Sequence, residues 1–70
     1  MDTHRRAFVR QLFAIATELI EDAHEAALVG QSPHLTARAC LKSLQQLQAA
    51  SRDLAIFAEA TAFIAGRPAE

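Results

Sequence analysis

Glu18, Glu21 and His24 stand at a spacing that could hold a metal ion. Residues three and four apart share a helix face, and di-iron bundles use Glu-x-x-His pairs with further glutamates in this way. At 100° per residue, however, Glu21 and His24 project to the polar edge of their segment. The segment that would face them offers Gln45 and Gln46, not carboxylates. The expectation is a solvated acidic face with no resident metal or cofactor; a bundle that binds a metal through Glu18, Glu21 and His24 is kept as an alternative. Nucleophilic chemistry fares no better. Cys40 is the sole cysteine and falls on an apolar stripe, where a thiol behaves as a small hydrophobe. His34 is the histidine nearest to it, and no third group completes a triad. The two glycines, Gly30 and Gly66, stand too far apart to form a phosphate-binding loop. No catalytic residues and no enzymatic activity are expected.

What remains is a chain built to pack. Its 70 residues are 51% hydrophobic, much of that alanine, and the net charge is −1. A chain this short buries only roughly 60% of its unfolded surface alone, and usually needs a staple. One cysteine gives neither a disulfide nor a zinc cluster, so oligomerisation is the staple left. A charge so near zero provides no global field toward nucleic acid or an anionic membrane. The amino-terminal apolar run is soon interrupted by Arg10 and Gln11, unlike a secretory signal. The longest apolar stretch, residues 54–65, carries Glu59 and falls short of the ~20 residues a membrane span needs. A cytoplasmic protein is expected.

The periodicity predicts two helices, at about residues 3–29 and 36–65, joined by a turn over 30–35 within one domain. Either Asp2 or Thr3 can cap the first helix. Phe8, Val9, Leu12, Phe13, Ile15, Ala16, Leu19, Ile20 and Ala23 occupy an arc of about 160°, wider than a two-per-heptad seam. Gly30 suits the left-handed position that ends many helices, and Pro33 cannot continue one. Thr36 is the favoured cap of the second helix, with Ser32 before Pro33 as a competing start. The second stripe runs Cys40, Leu44, Leu47, Ser51, Leu54, Ala58, Thr61 and Ala65, with Ala50, Phe57 and Ile64 widening one flank. Gly66 and Pro68 close the helix.

The charges oppose the helix dipole. The first helix is basic at its start (His4, Arg5, Arg6, Arg10) and acidic at its end (Glu18, Glu21, Asp22, Glu25), which costs some tenths of a kcal/mol per charge. With a turn centred near residue 33, Glu21 and Glu25 are expected beside Arg38 and Lys42, and Arg6 beside Glu59. Antiparallel pairing of this helix with its own copy would set Arg6 near Glu25 and Arg10 near Glu21. Such surface pairs add about 0–1 kcal/mol each but select orientation.

The expected architecture is all-α, a two-helix antiparallel hairpin that dimerises into a four-helix bundle with Leu12, Ile15, Leu19, Leu44, Leu47 and Leu54 in its core. In length and plan this hairpin resembles the Rop family, small plasmid proteins whose two-helix hairpins dimerise and bind paired RNA loops. That resemblance implies RNA binding as an alternative function, carried by Arg5, Arg6 and Arg10. The acidic run 18–25 interrupts such a basic face, and no aromatic residue stands on the polar side to stack on bases. The leading expectation is a non-enzymatic protein–protein interaction module: an adaptor, regulator or assembly subunit. Its interface is expected at Phe8, Leu12, Phe13, Leu54, Ile56, Phe57, Phe63 and Ile64, where the four aromatic rings collect at the open end of the hairpin. The partner is a second copy of the chain, with a further protein docking on that apolar end.

Overall fold

The computed structural model describes residues 2–66; Met1 and residues 67–70, including the Pro68 expected to close the second helix, lie outside them. Two α-helices pack against each other, α1 (Thr3–Val29) and α2 (Ala37–Ala65), and no strand occurs among the described residues. Local chemistry sets each end. Asp2 is the cap of α1, its carboxylate accepting from the Arg5 N–H at 2.6 Å. Thr36 caps α2, its hydroxyl oxygen accepting from the Ala39 N–H at 3.0 Å. Each cap satisfies a first-turn amide that has no partner inside its helix. The competing start at Ser32 is not used for α2. Ser32 instead holds the turn, accepting from the His34 N–H through its hydroxyl (3.2 Å) and from the Leu35 N–H through its carbonyl (3.2 Å).

Gly30 departs from expectation. Its backbone is right-handed, at φ −63° and ψ −15°, and no described glycine has a positive φ. The helix therefore ends by tightening, not by reversing. The Gly30 N–H bonds Ala26 O, Gln31 N–H bonds Leu28 O, and Ser32 N–H bonds Val29 O, which satisfies the last carbonyls in sequence. Pro33 then supplies no N–H and biases Ser32 away from helix.

The seam between the helices is narrow and rich in small side chains. From α1 it takes Val9 and Leu12 (7% and 6% exposed), half-buried Ala16, Leu19 and Ala23, and buried Ala26. From α2 it takes buried Ser43 and Ala50 with half-buried Leu47, Leu54, Phe57 and Ile64. The expected α2 stripe is thus rotated by about one residue. Leu44, Ser51 and Ala58 are exposed, while Ser43, Ala50 and Phe57 take the inner positions. Small residues at 43 and 50 let the backbones approach where leucine would hold them apart. Leu12 and Phe57 share one groove and Ala26 and Ser43 another, so facing residue numbers sum to about 69. That places the turn centre between His34 and Leu35, one to two residues later than expected. All six residues of the expected pairs are exposed; Glu25 and Lys42 line one groove together, and Glu21, Arg38, Arg6 and Glu59 line neither.

Two consequences are measurable. A Cβ at Gly30 would meet the Ala27 carbonyl at an ordinary 3.4 Å, so Gly30→Ala should raise stability by about 0.4–1 kcal/mol in urea melts. A left-handed glycine would give the opposite sign. Thr36→Ala should lower stability by about 0.5–2 kcal/mol in the same assay.

Candidate interaction faces

A helix packed against one neighbour has a seam and two flanks, so a hairpin presents two broad faces. Both are grooves here, and they differ in character.

The first face contains a groove of about 720 Å³ toward the turn. Ala26, Ser43 and Ala50 lie at its floor, and Asp22, Glu25, Lys42 and Asp53 are charged groups in its wall. The acidic residues Asp22 and Glu25 line it from α1, and Lys42 and Ser43 from α2. Steps of seven residues stay on nearly the same side of a helix. Asp22 and Val29 therefore extend backward to Ile15 and Phe8, and Ala49 extends forward to Ile56 and Phe63. Those four side chains are 37%, 48%, 58% and 65% exposed in the same order.

The second face contains a groove of about 360 Å³ near the open end, lined by Leu12, Phe13, Ala16 and Phe57 with Ala58, Thr61, Ala62 and Ala65. No charged residue lines it. Thr61 is the one polar side chain in that lining, and its hydroxyl donates to Phe57 O at 2.7 Å, the back-bond expected of a threonine on an apolar helix face. The same seven-residue steps carry this face from Phe13 to Ile20 and Ala27, and from Ala65 and Ala58 back to Ser51 and Leu44. Phe13, Ile20 and Leu44 are 61%, 55% and 49% exposed. At its edge Thr17 donates to Phe13 O at 3.0 Å, so a second polar group is internally satisfied.

The eight residues of the expected interface are therefore divided. Leu12 is buried in the hairpin's own seam, and Leu54, Phe57 and Ile64 are half-buried along it. Phe13 belongs to the second face; Phe8, Ile56 and Phe63 belong to the first. The four phenylalanines are all in the open-end half, but they serve two faces and a seam. By helical spacing alone Ile56 and Phe63 fall on the side of α2 opposite the Leu44–Leu54 stripe, whereas on α1 a wide apolar arc does not say where its middle lies. The small residues at 43 and 50 were the available signal: they mark where two backbones come closest.

The chemistry-bearing residues do not converge. Glu18, Glu21 and His24 are exposed, and among the described residues no group of three His, Cys, Asp or Glu side chains is placed to hold a metal. Cys40 is half-buried. Arg5 turns inward to a half-buried position while Arg6 and Arg10 stay exposed, so the three do not share one exposed strip. No described helix is long and apolar enough to cross a membrane. In class the chain is an all-helical hairpin of two packed helices; no family model, curated protein or solved structure matches it.

Exposed and uninvolved in the fold, His24 should be replaceable. His24→Ala should change stability by no more than about 0.5 kcal/mol, with or without added Zn(II) or Fe(II). A melting temperature raised by metal only when His24 is present would contradict this placement.

Proposed function

We propose that this chain is a non-enzymatic protein–protein interaction module that acts as a homodimer, two hairpins forming a four-helix bundle. The observation that carries the reading is surface area. A compact monomer of 7.6 kDa is expected to expose about 4,300 Å², and this chain exposes 5595 Å². The excess, roughly 1,300 Å² per chain, matches what one partner contributes to an obligate dimer interface. The shape agrees. The radius of gyration is 16.1 Å, against about 11 Å for a compact chain of this length.

The composition of that surface supports the same reading. Ten large hydrophobic side chains are more than a third exposed, whereas the buried hydrophobic set is Val9, Leu12, Ala26 and Ala50. Exposed apolar area on this scale marks an association site. A second copy covers one of the two faces and leaves the other for a different protein, which is how a small bundle acts as an adaptor or assembly subunit. Ile56 is exposed on the face whose groove is lined by Asp22, Glu25, Lys42 and Asp53, so a different protein meets both apolar and charged groups there.

Light scattering across a dilution series is the test. The expected mass is twice 7.6 kDa down to low micromolar concentration. A monomer at every concentration would sink the reading. In the same dimer Phe57→Ala should cost about 3 kcal/mol, read from concentration-matched denaturant melts.

A further inference from the structure

The two faces are not equivalent: charged residues line the groove of the first and none lines that of the second. Along the second face the lines Phe13–Ile20–Ala27 and Leu44–Ser51–Ala58–Ala65 contain no charged residue. The outward ridges that border both faces do: at 100° per residue Arg10 and Glu21 on α1, and Arg52 and Glu59 on α2, fall opposite the seam, and all four are exposed. The first face, by contrast, has Asp22, Glu25, Lys42 and Asp53 within its groove, where a close partner would have to desolvate them.

We propose that the second face is where a second copy of this chain packs, and that it packs antiparallel, α1 along α1 and α2 along α2, with the two turns at opposite ends. This rests on the dimeric reading above and adds the face and the polarity. The charges support it through a shared symmetry axis. A two-fold axis that pairs Arg10 with Glu21 of the second copy crosses α1 between Ile15 and Ala16. One that pairs Arg52 with Glu59 of the second copy crosses α2 between Ala55 and Ile56. Across the hairpin, Ile15 and Ala16 stand opposite Asp53 and Leu54, so the two crossing points differ by about two residues, or ~3 Å along the helix. An axis midway between the two crossing points leaves each pair about two residues, ~3 Å, out of register, which long side chains span. Each pair occurs twice.

The opposite polarity, with both turns at one end, lays α1 across the second copy's α2. Arg10 then meets Glu59, but Glu21 meets Gln48 and Arg52 meets Thr17. Antiparallel packing uses both pairs; the alternative uses one. The charge order of α1, unfavourable to its own dipole, becomes the feature that selects orientation. Pairing through this face leaves out Arg6 with Glu25, because Glu25 lines the groove of the other face. Size complementarity points the same way. The axis brings Leu44 of one chain over the Ala62–Ala65 end of the other, and sets Phe13 beside Ala16, large side chains against small ones.

The turn supplies the probe. A spin label at His34→Cys, in a Cys40→Ser background, reports the distance between the two turns. Antiparallel packing predicts a separation near the 55 Å length of the hairpin; turns at one end predict one to two helix spacings, roughly 10–20 Å. Two exposed positions test the face: Phe13→Glu should yield monomers with native helicity, and Ile56→Glu should leave the dimer intact. Arg10→Glu should weaken the dimer at least three-fold at low salt, and adding Glu21→Arg should restore it. A stable dimer with a short turn-to-turn distance, or without rescue by Glu21→Arg, overturns the antiparallel assignment while the dimer stands. A dimer broken by Ile56→Glu but not by Phe13→Glu overturns the assigned face. A wild-type chain that is monomeric throughout dilution overturns the dimeric reading itself, and the face then belongs to a different protein.

Discussion

Two helices share only one line of contact, and everything else in this protein follows from that limit. Packing covers one stripe on each, and here the apolar residues of α1 span about 160° of its circumference. The seam takes Val9, Leu12, Ala26 and their half-buried neighbours, yet Phe13, Ile20, Phe8 and Ile15 are left on its two flanks. Among the described residues the 27- and 29-residue helices are the only elements, and neither folds over those flanks.

The hairpin is set up by local chemistry that does not depend on a partner. Asp2 and Thr36 cap the two starts, the last turn of α1 tightens through Gly30, Gln31 and Ser32, and Pro33 prevents continuation. These interactions are each modest, of order 1 kcal/mol for a cap. They fix where the helices begin and end, not how firmly they hold together. The seam is composed largely of alanine, serine and half-buried leucine, which gives close approach but little buried area per residue. The small seam side chains set the geometry of the pair, while the larger apolar groups remain on the outside to be covered by something else.

The charges show the same division. Surface pairs do little for stability in water, and the basic-to-acidic order along α1 works against its own dipole. What such a pattern can do is discriminate between arrangements of similar apolar packing. A face without charges but edged by them separates the two tasks, with area providing attraction and rim charges providing orientation.

Helix number, extents, caps and the break were legible in the sequence because each depends on residues within four positions of one another. Asp2, Thr36, Pro33 and the 3.6-residue period carry that information locally. The conformation of Gly30 was not legible, since glycine occupies left- and right-handed backbone equally well and the following turn decides between them. Nor was the middle of each apolar arc. Leu44 and Ser43, or Ser51 and Ala50, are neighbours in sequence separated by 100° on the helix, and an arc of 160° admits either as its centre. Only the packed pair decided that Ser43 and Ala50 point inward, because two helices approach most closely over small side chains. That rotation of α2 put Leu44 and Ala58 on one face and Ile56 and Phe63 on the other. The residue pattern determined that this protein has more apolar surface than one hairpin can bury; the tertiary structure determined where that surface lies.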